Sequence, residues 1–153
     1  MPRARKSTAV ERSERFFRSV LLNERRIQTY EDEIEMQQSR LALNGVAGGE
    51  SVSKTLQGDA MERGFVDLYG MCDRLDSQLS DYVRLREQAL RVMDRIESPY
   101  VYEAMYHRYF AGLRPNDIAK VMFVSRTTVY NLLDTGVRVC APAVTKVCTH
   151  LDR

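Results

Sequence analysis

The sequence predicts an all-α protein in which two long helices precede a cluster of short ones. Three observations carry that prediction. Residues 9–43 contain no proline or glycine, and their apolar positions recur in alternating steps of four and three. Residues 59–97 repeat the same alternation. Beyond Ser98 the chain is cut into short stretches by Pro99, Gly112, Pro115, Gly136 and Pro142. The composition agrees, with 44% apolar and 29% charged residues, four prolines and no tryptophan in 153 residues.

The first helix is expected over residues 9–43. Phe16, Val20, Asn23, Ile27, Tyr30, Ile34, Gln37 and Leu41 form a narrow seam along one face. At ~1.5 Å per residue this rod is about 50 Å long, and such a rod needs a partner. Residues 44–58, with Gly45, Gly48, Gly49 and Gly58 among serines and a threonine, read as a flexible loop. They lack the spacing of a phosphate-cradling motif, and no strand precedes them. A second seam follows over residues 59–97: Met61, Phe65, Leu68, Cys72, Leu75, Leu79, Tyr82, Arg86, Ala89, Met93 and Ile96. Folding the two seams together pairs positions whose numbers sum to about 102, so that Leu41 faces Met61 and Val20 faces Tyr82. The expectation is a long antiparallel helical hairpin of coiled-coil type spanning residues 1–97, with Asn23 and Gln37 as polar seam positions that set register or lie at a wet edge.

Ser98-Pro99 ends the second helix and starts a third, since serine caps well and proline suits a first helical turn. That helix, rich in aromatics, is expected to run to Ala111, with Val101, Met105, Tyr109 and Phe110 in the core and Arg108 available to phosphate. Residues 112–139, GLRPNDIAKVMFVSRTTVYNLLDTGVRV, then split into a short helix over residues 115–122, a turn of Phe123, Val124 and Ser125, and a longer helix from Arg126. Ala119 offers a small residue for a steep helix crossing, and Ile118, Met122, Val124, Val129 and Leu132 supply the buried joint. The C-terminal domain, residues 98–153, is thus expected to be a helix-turn-helix. Gly136 and Pro142 predict that the last long helix stops near Cys140 and that a separate short helix covers residues 142–150, because interior proline costs about 3 kcal/mol.

Such a joint exposes the opening turns of its second helix. There Ser125 caps, while Arg126, Thr127, Tyr130 and Asn131 face outward with side chains able to meet base edges: arginine with guanine, asparagine with adenine, threonine by hydroxyl or methyl. Ser125 and Thr128 are candidate phosphate contacts at the helix N-terminus. Lys120, Arg114 and Arg138 would add positive charge, although Asp134 stands four residues from Arg138 and would pair with it. The competing reading is a plain solvated helix face; the demanding joint pattern around it favours recognition of double-stranded DNA.

Charge is distributed accordingly. Residues 1–26 carry a net +5, residues 27–97 a net −6 and residues 98–153 a net +3, for +2 in all. A positive end beside a negative centre suits a chain that touches phosphate with its ends. No apolar run approaches the ~20 residues that cross a bilayer, and the basic start has no apolar stretch behind it, so a cytosolic, membrane-free protein is expected. Cys72, Cys140 and Cys148 are far apart and odd in number, which predicts free thiols and no metal site, Cys140, Cys148 and His150 falling short of four ligands. No serine or cysteine has a histidine partner in reach of the pattern and the carboxylates scatter over helix exteriors, so no catalysis and no cofactor are expected.

The run YHRYFAGLRPNDIAKVMFVSRTTVYNLL resembles the C-terminal helix-turn-helix of sigma factors, the part that recognises the −35 promoter element. It is more closely similar to phage late-gene transcriptional regulators of the ArpU and RinA type, which also place a long helical segment ahead of the motif. The match covers about residues 103–139; over the hairpin it is architectural only. The resemblance implies a regulator acting on promoter DNA in a bacterial host cell, with contact to RNA polymerase, and places the reading role on Ser125, Arg126, Thr127, Tyr130 and Asn131. This chain departs from the pattern at three places. Phe123 stands where glycine is usual, so a different turn is expected, since a bulky residue disfavours positive φ. Arg114 replaces the usual serine or threonine cap, and Gly136 with Pro142 interrupts the last helix. Two other functions compete: a phage terminase small subunit, which assembles into a ring but usually places its motif first, and a helical adaptor that binds protein alone. A homo-oligomer, with a dimer favoured, is expected through the hairpin.

Overall fold

The computed structural model describes residues 7–46 and 54–151, with side-chain surroundings for residues 7–43 and 60–148. Every regular element among the described residues is an α-helix: α1 Thr8–Val46, α2 Lys54–Met93, α3 Pro99–Tyr109, α4 Pro115–Val121 and α5 Arg126–Leu151. None is long and apolar enough to cross a membrane.

Besides α3, which ends at Tyr109 where Ala111 was expected, three features differ from the expectation. The loop is shorter, because α1 continues to Val46 and α2 begins at Lys54 and passes through Gly58. A single glycine among Leu56, Gln57, Ala60 and Met61 costs only about 1 kcal/mol, too little to stop propagation. Residues 47–53 of the expected loop lie outside the described residues. At its other end α2 stops at Met93 instead of residue 97; the Ile96 N–H bonds the Met93 carbonyl at 2.9 Å, and this turn buries Ile96 before Ser98 caps α3. Third, α5 is one helix of 26 residues that runs through both Gly136 and Pro142. Proline removes the N–H that would reach the Arg138 carbonyl, but Val137, Cys140, Ala141, Ala143 and Val144 are all buried around it. Their burial outweighs the local penalty, and Pro142 itself faces solvent. Gly136 is a packing residue: a Cβ there would stand 2.5 Å from Met105 Cγ and 3.2 Å from Val101 Cγ1.

The chain divides into two compact units, one of residues 1–25 with 82–153 and the other of residues 26–81. In the first unit α3, α4 and α5 pack on one another. The beginning of α1 joins their core through Phe16, Phe17, Val20 and Leu21, and the end of α2 through Ala89, Val92 and Met93. Phe17 meets Tyr109 with ring centroids 5.3 Å apart, and the buried Ser13 hydroxyl donates to the Val137 carbonyl at 2.8 Å. The Tyr82 hydroxyl donates to the Glu24 carboxylate; burial and that partner both push the phenol well above its ordinary range.

In the second unit α1 buries Ile27, Ile34 and Leu41, seven residues apart. On α2 the half-buried positions include Gly64, Leu68, Met71, Leu75 and Gln78, whereas Met61, Phe65 and Leu79 of the expected seam are exposed. Gly64 sits so near Leu41 that a Cβ would fall 2.5 Å from Leu41 Cδ2. Contacts between α1 and α2 therefore join positions summing to 105 and 106 (Leu41 with Gly64, Glu24 with Tyr82) where about 102 was expected.

Candidate nucleic-acid interface

A short helix, a tight turn and a long helix form the candidate site. Arg114 precedes α4 in extended conformation without a side-chain cap, and Pro115 supplies the first helical position. Ile118 of α4 and Val129 of α5 are fully buried, and Leu133 is buried one turn later. Leu132, expected in the joint, is only half-buried, since on α5 it is Leu133 that stands four residues from Val129 on the inner face. Met122 closes α4 by bonding the Ile118 carbonyl at 2.9 Å, and the Val124 N–H reaches the Ala119 carbonyl at 3.0 Å.

Phe123 adopts φ 55°, the only non-glycine residue at positive φ among the described residues, with 95% of its surface exposed. The expectation of a different turn is thus overturned. The reversal between α4 and α5 needs a left-handed residue whatever its side chain, and phenylalanine accepts it by pointing into solvent.

Ser125 caps α5 as expected: its Oγ accepts the Thr128 N–H at 3.1 Å and lies 2.8 Å from the Thr128 hydroxyl. Both hydroxyls are thereby aligned at the positive end of the helix dipole. Arg126, Thr127, Tyr130 and Asn131 are exposed on the first two turns. Arg126 is held by its neighbour, donating to the Tyr130 hydroxyl at 3.2 Å with its guanidinium carbon 5.5 Å from the ring centroid. These contacts lay the guanidinium along the helix surface. Lys120 and Arg114 are exposed nearby in sequence. Arg138 is bound to Asp134 at 2.8 Å, which offsets the charge it was expected to add. Arg108 donates to the Leu113 carbonyl at 3.2 Å and so secures the chain ahead of α4.

One neighbour of this face escapes sequence reasoning. Within the same unit, Glu11, Glu14 and Arg18 of α1 line an open groove of about 920 Å³ with Arg108, Tyr130, Asn131, Asp134 and Arg138. More than a hundred residues separate Arg18 from Tyr130, so no local pattern links them. The available signal was the breadth of the apolar face at the start of α1: Val10, Ser13, Phe16, Phe17, Val20 and Leu21 are buried, a wider set than a two-helix seam uses. The groove mixes both signs of charge, whereas the opening turn of α5 carries Arg126 without an acidic residue in that turn.

Among the described residues no three His, Cys, Asp or Glu side chains are placed to hold a metal ion. Comparison with known proteins finds no matching family model, no matching curated protein and no matching solved structure.

Proposed function

We propose that this chain is a sequence-specific double-stranded DNA-binding transcriptional regulator of phage type. Residues 98–153 act as a helix-turn-helix in which α5 enters the major groove by its N-terminal turns. One observation carries this reading: a buried joint of Ile118, Val129 and Leu133 holds a capped helix whose first two turns offer Arg126, Thr127, Tyr130 and Asn131 to solvent. A recognition helix is used in this way, its early residues meeting base edges while its N-terminal amides and capping hydroxyls meet phosphate. Ser125 and Thr128 take the phosphate role, Lys120 and Arg114 extend the positive surface, and α1 with α2 forms an antiparallel hairpin that assembles the protein and meets RNA polymerase.

The decisive experiment is selection of bound sites from random duplexes, followed by binding of single variants. Arg126→Ala and Asn131→Ala are each expected to relax preference at one base position by ~1–3 kcal/mol while leaving other positions unchanged. A uniform loss over all sequences, or no change at all, overturns the assignment. A packaging role of the terminase small-subunit kind predicts instead a ring of eight or more subunits, which the mass of the free protein in solution decides.

A further inference from the structure

Within the first unit, the groove between α1 and α5 carries opposite charge at its two ends. At one end the Ser13 hydroxyl of α1 meets the Val137 carbonyl at 2.8 Å. At the other, Leu21 lies beside Gly112, its Cδ1 3.9 Å from where a Cβ there would stand, close to the start of α4. Glu11 and Glu14 therefore flank the level of Val137, whereas Arg18 lies a further ~6 Å along α1 toward α4. Tyr130 and Asn131, up to about 10 Å from Val137 along α5, stand at the Arg18 end, and Arg108 lines the same groove. Two of the groove's three guanidiniums are committed within the fold: Arg138 holds Asp134 at 2.8 Å, and Arg108 donates to the Leu113 carbonyl at 3.2 Å. Arg18 pairs with Glu14 at 3.9 Å, the outer limit of an ion pair, and its side chain is 66% exposed.

We infer that Arg18 contacts the phosphate backbone of the DNA strand that passes on the α1 side of α5, and that Glu11 and Glu14 hold the later turns of α5 out of the major groove. The inference rests on the DNA reading above and adds two things to it: a contact outside the helix-turn-helix, and a direction of entry. The major groove is about 12 Å wide and about 8.5 Å deep, with phosphates along both lips. If α5 lay lengthwise in it, α1 would be carried along one lip and two carboxylates would be pressed against phosphate. Entry by the opening turns brings the Arg18 end of the groove to that lip and leaves Glu11 and Glu14 outside. Arg126, Tyr130 and Asn131 then reach base edges while Arg18 fixes the register of the helix from the side, the division of labour between base and phosphate contacts. Like charges set against a wrong approach are as effective in orienting a complex as attraction along the right one.

Salt titrations of the full chain on its selected duplex and on an unrelated duplex test this. Arg18→Ala is expected to weaken both alike and to lower the slope of log affinity against log salt by about 1, with base preference as in wild type. Arg18→Lys keeps the charge and is expected to keep the slope. Glu11→Gln combined with Glu14→Gln is expected to tighten binding to both duplexes at least about twofold at low salt, the gain shrinking as salt screens it. Helix content should stay unchanged throughout, since none of these three side chains is buried. A wild-type slope in Arg18→Ala, or unchanged affinity in the double glutamine variant, overturns the inference. Failure of the DNA reading is separate: a chain with no salt-dependent affinity for duplex loses both, whereas one that selects a sequence indifferently to Arg18 keeps the regulator and loses this contact. Binding of polyglutamate in place of duplex, abolished by Arg18→Ala, would assign the groove to an acidic protein and overturn the inference as well.

Discussion

Phe123 holds a left-handed backbone and buries almost none of its ring. For a side chain with a Cβ this conformation costs roughly 1 kcal/mol relative to glycine, and exposure returns nothing to the fold. Phe123→Gly is therefore expected to raise stability by up to about 1 kcal/mol, read as a higher Tm. A lower Tm would mean the ring contributes packing. Cys140 makes the opposite kind of residue: fully buried, its thiol donates to the Val92 carbonyl at 3.7 Å, and burial pushes its pKa up to about 11 against the lowering influence of Arg95. The unfolded thiol ionises near 9. The folded state thus keeps a proton that the unfolded chain has lost, and stability contributed by Cys140 is complete below pH 9 and falls as pH rises through about 11. Denaturation midpoints followed from pH 8 to 11 should decline in wild type and decline less in Cys140→Ala after correction for its lower starting stability. Maleimide should leave Cys140 unmodified in native protein.

At the scale of elements, α5 shows how packing overrides propensity. Its two helix breakers differ in consequence because their surroundings differ. Gly136 opposes Met105 and Val101, so Gly136→Ala would gain about 1 kcal/mol of helix propensity and lose roughly 1–3 kcal/mol to overpacking. The expected outcome is a lower Tm. Pro142 faces solvent, and Pro142→Ala restores a backbone hydrogen bond to Arg138 without a new contact, so a higher Tm is expected. The pair is informative because propensity alone predicts gains from both. The same contrast explains what could be read beforehand. The apolar period located the helices and the Ser98-Pro99 start of α3, because caps and periods are local properties. It misplaced the inner flank of α2, because Leu68 and Leu75 belong to both possible seams, and the bulkier second row (Met61, Phe65, Leu79) is the one left exposed. Gly64 wins the inner place by letting Leu41 approach. Only a neighbouring helix reveals such an advantage.

For the whole molecule, charge is divided along the chain: strongly negative through residues 27–97 and positive on both sides. Under the proposed function, DNA binding should be steered by a few cations and resisted by the acidic centre, which gives a measurable salt dependence. Each phosphate neutralised contributes about 0.9 to the slope of log affinity against log salt. Lys120→Ala is expected to flatten that slope by about 1 and to weaken all duplexes alike. Arg138→Ala should change it less, since Asp134 already holds that guanidinium. Equal effects of the two substitutions would show that the ion pair opens on binding.

By itself the sequence determined the all-α class, the two long rods, the capped turn at Ser125 and the exposed row Arg126, Thr127, Tyr130 and Asn131, since each depends on residues within a turn or two of one another. The tertiary structure alone decided that α5 continues through Pro142, that α2 turns Gly64 inward and Phe65 outward, and that the start of α1 lines a groove with Tyr130 and Asn131. Those outcomes depend on burial against segments distant in the chain, and the free energy of burying a row of side chains exceeds the one to three kcal/mol by which local preference opposes it.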